Sequence, residues 1–186
     1  MIKYKITGDN LQLVTVELGS GEKVYGEAGT MVYMSSNMNM EAKMRGGLLK
    51  AIGRKFAGET MFLTEFAPAG GEGLVAFGGN APGTIKPVEL APDKEFIVQK
   101  DAFLCAEDRV ELSVEFQRRL GSAFFGGEGI FLTSLTGPGK IIIQSMTLHN
   151  LASALAPFLP SAKGTSGTSG TSGVVGTLLK ETMGRR

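Results

Sequence analysis

Short runs rich in β-branched and aromatic residues recur along the chain, at residues 85–90, 95–98, 110–116, 130–135 and 141–144, with Gly, Pro or Asp between many of them. Alternating apolar and polar positions suit a pleated strand with one face buried, and many short strands at even spacing point to an antiparallel sandwich or jelly-roll-like fold. Two stretches break the pattern. Residues 46–56 place Leu48, Leu49, Ile52 and Phe56 on a common helical face with Lys50, Arg54 and Lys55 elsewhere, and residues 117–125 also lack strand alternation. Beyond Thr147 the period changes again: Leu148, Leu151, Leu155 and Leu159 fit one face of a short helix that Pro160 would stop.

The pattern occurs twice. Val16-Glu17-Leu18 returns as Val88-Glu89-Leu90, seventy-two positions later. At that offset Met31-Val32 matches Phe103-Leu104, Tyr33 matches Cys105, and Met38, Met40 and Met44 match Val110, Leu112 and Phe116. A second match is closer: Gly58, Glu59, Phe62, Leu63 and Thr64 recur as Gly127, Glu128, Phe131, Leu132 and Thr133. Each copy is followed by a glycine-rich turn (69–73 and 137–139) and an apolar run (74–77 and 140–143). Glycine reaches positive φ without a Cβ clash, so these turns are expected to be hairpin tips at equivalent places in two units. The expected organisation is a first β repeat over 1–82, a second over 83–147 packed with it, and a short helix over 148–160. A Gly/Thr/Ser linker over 161–173 then leads to a tail, 174–186, that has the pattern of a small amphipathic helix and could dock a partner.

Several segments together resemble the altered inheritance of mitochondria protein 24 family. They are Glu27-Ala28-Gly29-Thr30-Met31-Val32-Tyr33-Met34, Ala57-Gly58-Glu59-Thr60-Met61-Phe62-Leu63-Thr64, Gln99-Lys100-Asp101-Ala102-Phe103-Leu104, Phe125-Gly126-Gly127-Glu128-Gly129 and Leu135-Thr136-Gly137-Pro138-Gly139 with Gln144-Ser145. The resemblance covers about residues 1–160. It implies an all-β fold of tandem sandwich units like that of the tryptophan RNA-binding attenuation protein, assembly into rings or trimers, and no established enzyme activity. For eukaryotic members it implies a link to mitochondrial inner-membrane organisation. Family members usually carry three units, whereas two are expected here, with a junction inside the Gly126-Gly127-Glu128-Gly129 element.

Composition narrows the chemistry. With 186 residues the chain can bury a core without disulfides, and Cys105, its one cysteine, has no partner in the chain. One cysteine and one histidine cannot build a His/Cys zinc site, which leaves only carboxylate sites or sites shared between subunits. No metal site is assigned and no cofactor is expected. Nineteen basic against eighteen acidic residues leave a net charge of +1, which gives no footprint for nucleic acid. No stretch reaches the roughly 20 apolar residues of a membrane span, and no secretory apolar core stands at the start. A cytoplasmic protein, with room for a peripheral membrane contact, is expected.

Each candidate site has a plainer alternative. Glu59 and Glu128 read as braces of matching turns rather than a carboxylate pair, and Lys100-Asp101 as a turn or surface ion pair. Gly71-Glu72-Gly73-Leu74-Val75-Ala76 fits a loose dinucleotide pattern, but a strand follows where a helix N-terminus is needed. Cys105 and His149 form a conceivable nucleophile pair, against a packed thiol and an unrelated imidazole. Lys50, Arg54, Lys55 and Phe56 correspond roughly to Arg118, Arg119, Phe124 and Phe125; repeated in an oligomer they could form an anionic-lipid or phosphate-binding rim, at ~1 kcal/mol per basic residue. The alternative is a solvated loop whose phenylalanines enter a core or an interface. The sequence therefore points to a non-enzymatic homo-oligomeric scaffold, a ring or trimer, with a binding module for RNA or for a small ligand between subunits as the competing reading.

Overall fold

Why the chain needs so many short apolar runs becomes clear from its sheets. A computed structural model describes residues 2–43, 63–117 and 130–158. Their strands are β1 (Lys3–Thr7), β2 (Leu13–Leu18), β3 (Val24–Glu27), β4 (Met31–Met34), β5 (Met38–Lys43), β6 (Leu63–Pro68), β7 (Gly73–Gly78), β8 (Ile85–Leu90), β9 (Glu95–Gln99), β10 (Phe103–Glu107), β11 (Glu111–Gln117), β12 (Ile130–Thr136) and β13 (Gly139–Gln144). A single α-helix, α1 (Leu148–Leu155), follows them among the described residues. The strands form a four-stranded sheet in the order β1-β2-β7-β4, a six-stranded sheet β5-β6-β3-β10-β13-β8, and a three-stranded sheet β11-β12-β9, all paired antiparallel. Met1–Leu155 is one compact unit, and the 3-10 turn Ala156–Phe158 opens a second, Ala156–Arg186.

The six-stranded sheet is apolar on both faces. On one face Val24, Phe66, Leu104, Cys105 and Ile142 meet Val14, Val16, Val75 and Phe77 of the four-stranded sheet. On the other, Tyr25, Leu63, Phe103, Ala106 and Ile141 meet Val98, Leu112 and Leu135 of the three-stranded sheet. Neighbouring residues thus feed different cores, and a continuous run such as Ile141-Ile142-Ile143 is the pattern a doubly covered strand requires. Phe66 and Phe77 cross the first core edge to face, with ring centroids 5.3 Å apart.

Four pairings in the first half have counterparts in the second, in the same register. β2·β7 sets Leu13 opposite Gly78, and β8·β13 sets Ile85 opposite Gln144. β4·β7 pairs Met31 with Phe77 and Tyr33 with Ala76 around a bulge; β10·β13 pairs Phe103 with Ile143 and Cys105 with Ile142 around another. Met40 opposite Phe66 corresponds to Leu112 opposite Leu135, and Gly26 opposite Thr64 to Val98 opposite Thr133. Along these rungs β2, β3, β4 and β5 stand seventy-two positions before β8, β9, β10 and β11, β6 sixty-nine before β12, and β7 sixty-six before β13.

Two expectations are corrected. The glycine-rich turns are not hairpin tips. β6 lies in the six-stranded sheet and β7 in the four-stranded one, and β12 and β13 are likewise in different sheets, so residues 69–72 and 137–138 are arches between layers. Gly71, at φ 69°, gives the reversal either kind of turn needs, which is why its presence did not distinguish them. The helix after Thr147 also stops sooner than Pro160: α1 ends at Leu155 and passes into the 3-10 turn, because Pro157 has no N–H to continue the ladder. Of the two helical candidates, 46–56 lies outside the described residues, and so does 117–125 apart from Gln117, which ends β11.

Candidate functional site

The two halves share both cores, and their strands join at a seam where β3 pairs with β10: Gly26 opposite Cys105, Tyr25 opposite Ala106 and Val24 opposite Glu107. Tyr25 is fully buried there; its ring lies 5.9 Å from that of Phe103, and its hydroxyl donates to the Val110 carbonyl at 2.7 Å. Gly26 permits the close approach. A Cβ at that position would lie 2.7 Å from the Leu104 carbonyl oxygen and 2.9 Å from the Phe77 ring. Glu107 adds a brace: one carboxylate oxygen accepts the Ile2 N–H at 2.6 Å and the other the Lys140 N–H at 3.0 Å, tying the start of the chain to β13.

Two strands correspond to those of the seam but, among the described residues, pair on one side only. β4 occupies in the first half the place of β10, and β9 occupies in the second half the place of β3; both end their sheets. They carry Val32 (58% exposed), Tyr33 and Ile97 (57% exposed). The other sheet edges hold charges or proline: Lys3 and Lys5 on β1, Glu41 and Lys43 on β5, Lys86, Pro87 and Glu89 on β8, Glu111 and Glu115 on β11. Such residues discourage pairing with another chain. β4 has none, and β9 has only Glu95 at its first position, which accepts a hydrogen bond from Ser134.

The residues singled out from the sequence fall into several groups. Leu63, Thr64, Leu132 and Thr133 stand on corresponding rungs, opposite Glu27, Gly26, Gln99 and Val98, and Phe131 lies in β12 opposite Phe116. The Thr133 hydroxyl is buried without a hydrogen-bond partner. Gly58, Glu59, Phe62, Gly127, Glu128 and the basic-apolar groups Lys50, Arg54, Lys55, Phe56, Arg118, Arg119, Phe124 and Phe125 lie outside the described residues. Cys105 and His149 differ in setting: the cysteine is wholly inside the first core, where burial pushes its thiol up, and the histidine is exposed on α1. A thiol held protonated away from solvent is a packing group, not a nucleophile. Lys100 and Asp101 form part of a 3-10 turn, and residues 73–78 are the strand expected after the Gly-x-Gly pattern.

Sequence reasoning missed Glu65. It is buried on β6, where Lys23 reaches it at 2.9 Å and Lys43 at 3.3 Å. Hydrogen bonds to Glu65 and then to Glu41 hold the Lys43 ammonium above the ordinary lysine range. Four charges meeting across β6, the β5 edge and the turn before β3 leave no local signal in the sequence. Among the described residues no group of three or more His, Cys, Asp and Glu side chains is arranged to hold a metal, and no helix is long and apolar enough to cross a membrane.

The described body coincides with a family match. The family model for mitochondrial biogenesis AIM24 matches residues 4–152. The chain belongs to the AIM24 family. An AIM24 relative, the uncharacterized protein M6_Spy0233 of Streptococcus pyogenes serotype M6, is 35% identical over 141 residues, which is 72% of this chain and 56% of the relative. The chain thus spans just over half of that relative's length. The crystal structure of protein SPYM3_0169 from Streptococcus pyogenes superposes with a TM-score of 0.59 at 29% identity, over 78% of this chain and 65% of that one.

Proposed function

We propose that this AIM24-family chain is a non-enzymatic, self-associating β scaffold made of two copies of one sandwich unit, similar in kind to the units of the tryptophan RNA-binding attenuation protein. The observation that carries the reading is the β3·β10 seam, where one half is added to the other by sheet-edge pairing while matching edges remain without a second partner among the described residues. A contact that joins units within a chain can join them between chains, and edges with no proline and no charge beyond Glu95 favour it. On this reading the scaffold is cytoplasmic and organises a protein or membrane-surface assembly, with the basic-apolar segments as membrane or partner contacts and residues 174–186 as a docking element for a partner.

Light scattering of the full chain at micromolar concentration tests the scaffold. A mass that is a multiple of 19.6 kDa is expected, and a single 19.6 kDa species throughout that range overturns it. A pull-down with the full chain and with residues 164–186 deleted tests the tail. Partners lost on deletion support docking through the tail, and an unchanged set of partners removes that role.

A further inference from the structure

Resting on the scaffold reading, we propose that the partner is a second copy of this chain joined head to tail, with β9 of one copy pairing antiparallel with β4 of the next. The seam supplies the register. Where Gly26, Tyr25 and Val24 face Cys105, Ala106 and Glu107, the corresponding residues are Val98, Ile97 and Phe96 against Tyr33, Met34 and Ser35. Tyr25 is buried because it leaves its own half and enters the core of the other. Ile97, its counterpart, is 57% exposed on β9 and enters no such core among the described residues, and the proposed pairing carries it to Met34, which already packs against the first core.

Two surface cavities support the same geometry independently. One, of about 740 Å³, is lined by Leu90, Glu107 and Gly139 of the second half, and Gly21, Glu22 and Lys23 of the β2–β3 turn line it from the first. The other, also about 740 Å³, is lined by the counterparts Leu18, Ser35 and Gly73, but by no residue of the second half. The turn that would correspond to 19–23 is 91–95, before β9. Its Asp93 has a left-handed φ of 58°, matching 80° at Gly21. In the head-to-tail arrangement the 91–95 turn of one copy lines the cavity beside Ser35 of the next.

One rung differs. Val98 stands where the seam has Gly26, while Ile143 stands where it has Phe77, so the ring contact is relieved and the approach to the facing carbonyl is not. The junction between copies is therefore looser than the seam within each, and assembly depends on concentration.

The test is a pair of full-length single-site variants, Met34→Cys and Ile97→Cys, with the parent chain as control because its Cys105 is buried. Directly opposed residues in an antiparallel pair lie within disulfide reach. Under mild oxidation the mixture is expected to give the mixed dimer, and neither variant alone a comparable yield. Equal crosslinking by one variant alone, which marks a symmetric edge pair, overturns the proposal. So does an uncrosslinked mixture of chains that light scattering finds assembled, an outcome that leaves the scaffold reading standing. A monomeric parent chain overturns both. Ile97→Lys and Val32→Lys, both at exposed positions, are each expected to weaken self-association at least about tenfold while the monomer's melting curve is retained; undiminished association of both folded variants overturns the proposal.

Discussion

At Gly26 the seam depends on an absent side chain. A methyl group there would meet a backbone oxygen and an interior ring, neither of which can move away cheaply. Gly26→Ala is expected to cost about 1–3 kcal/mol, read as a lower urea midpoint, by overpacking. Gly29, around which nothing lies within 4 Å, is the control, and its alanine variant should stay within about 0.5 kcal/mol of the parent. Equal effects at the two glycines would show that the close approach is not what Gly26 provides. Cys105 gives a pH signature. Because burial raises its thiol pKa, the native state keeps a proton that the unfolded chain releases above the ordinary thiol value of about 8.5. The corresponding stability is complete below that pH and is lost as pH rises above it. Between about pH 9 and 10 the parent should lose up to about 1.4 kcal/mol per pH unit more than Cys105→Ala, with parallel curves below pH 8. Identical alkaline slopes for the two proteins would remove the thiol from the account.

Among the elements, α1 depends most on one residue. It has eight residues and buries none of them, so it is marginal on its own. Thr147 starts it: the hydroxyl accepts the Asn150 N–H at 3.1 Å and donates to Gln99 on β9 at 3.1 Å. Thr147→Val keeps the shape and loses both bonds, and about 1 kcal/mol of helix stability with them, so α1 amides should exchange about fivefold faster while those of β13 do not change. Slower or unchanged exchange in α1 would contradict the cap. The strands were legible because alternation is local: the runs at 85–90, 95–98 and 130–135 became β8, β9 and β12 within a residue or so. Their partners were not, because sheet order is non-local. The turn at 69–73 reads the same whether the next strand returns alongside β6 or crosses to another sheet. For the same reason Met31-Val32 and Glu95–Val98 read as strands without revealing that both are edges, and nothing in the run around Tyr25 announces that its ring belongs to the other half.

The whole molecule inherits its cooperativity from the shared sheet. Val24 packs in the first core and Tyr25 in the second, Leu104 in the first and Phe103 in the second, Ile142 in the first and Ile141 in the second. No backbone segment of β3, β10 or β13 can therefore leave one core without disturbing the other. Two sandwich halves with separate cores would instead unfold separately, each with its own midpoint. Phe77→Ala opens the first core and Leu135→Ala the second, at costs of about 3–5 and 2–5 kcal/mol. Both variants should move one common transition, with calorimetric and van't Hoff enthalpies equal, as two-state unfolding requires. If Phe77→Ala shifts one transition and Leu135→Ala another, the six-stranded sheet does not couple the halves. The three rungs of β3·β10 would then be a contact between two independent domains. A single transition moved by both makes the seam part of one folding unit, because the same three strands must leave both cores together.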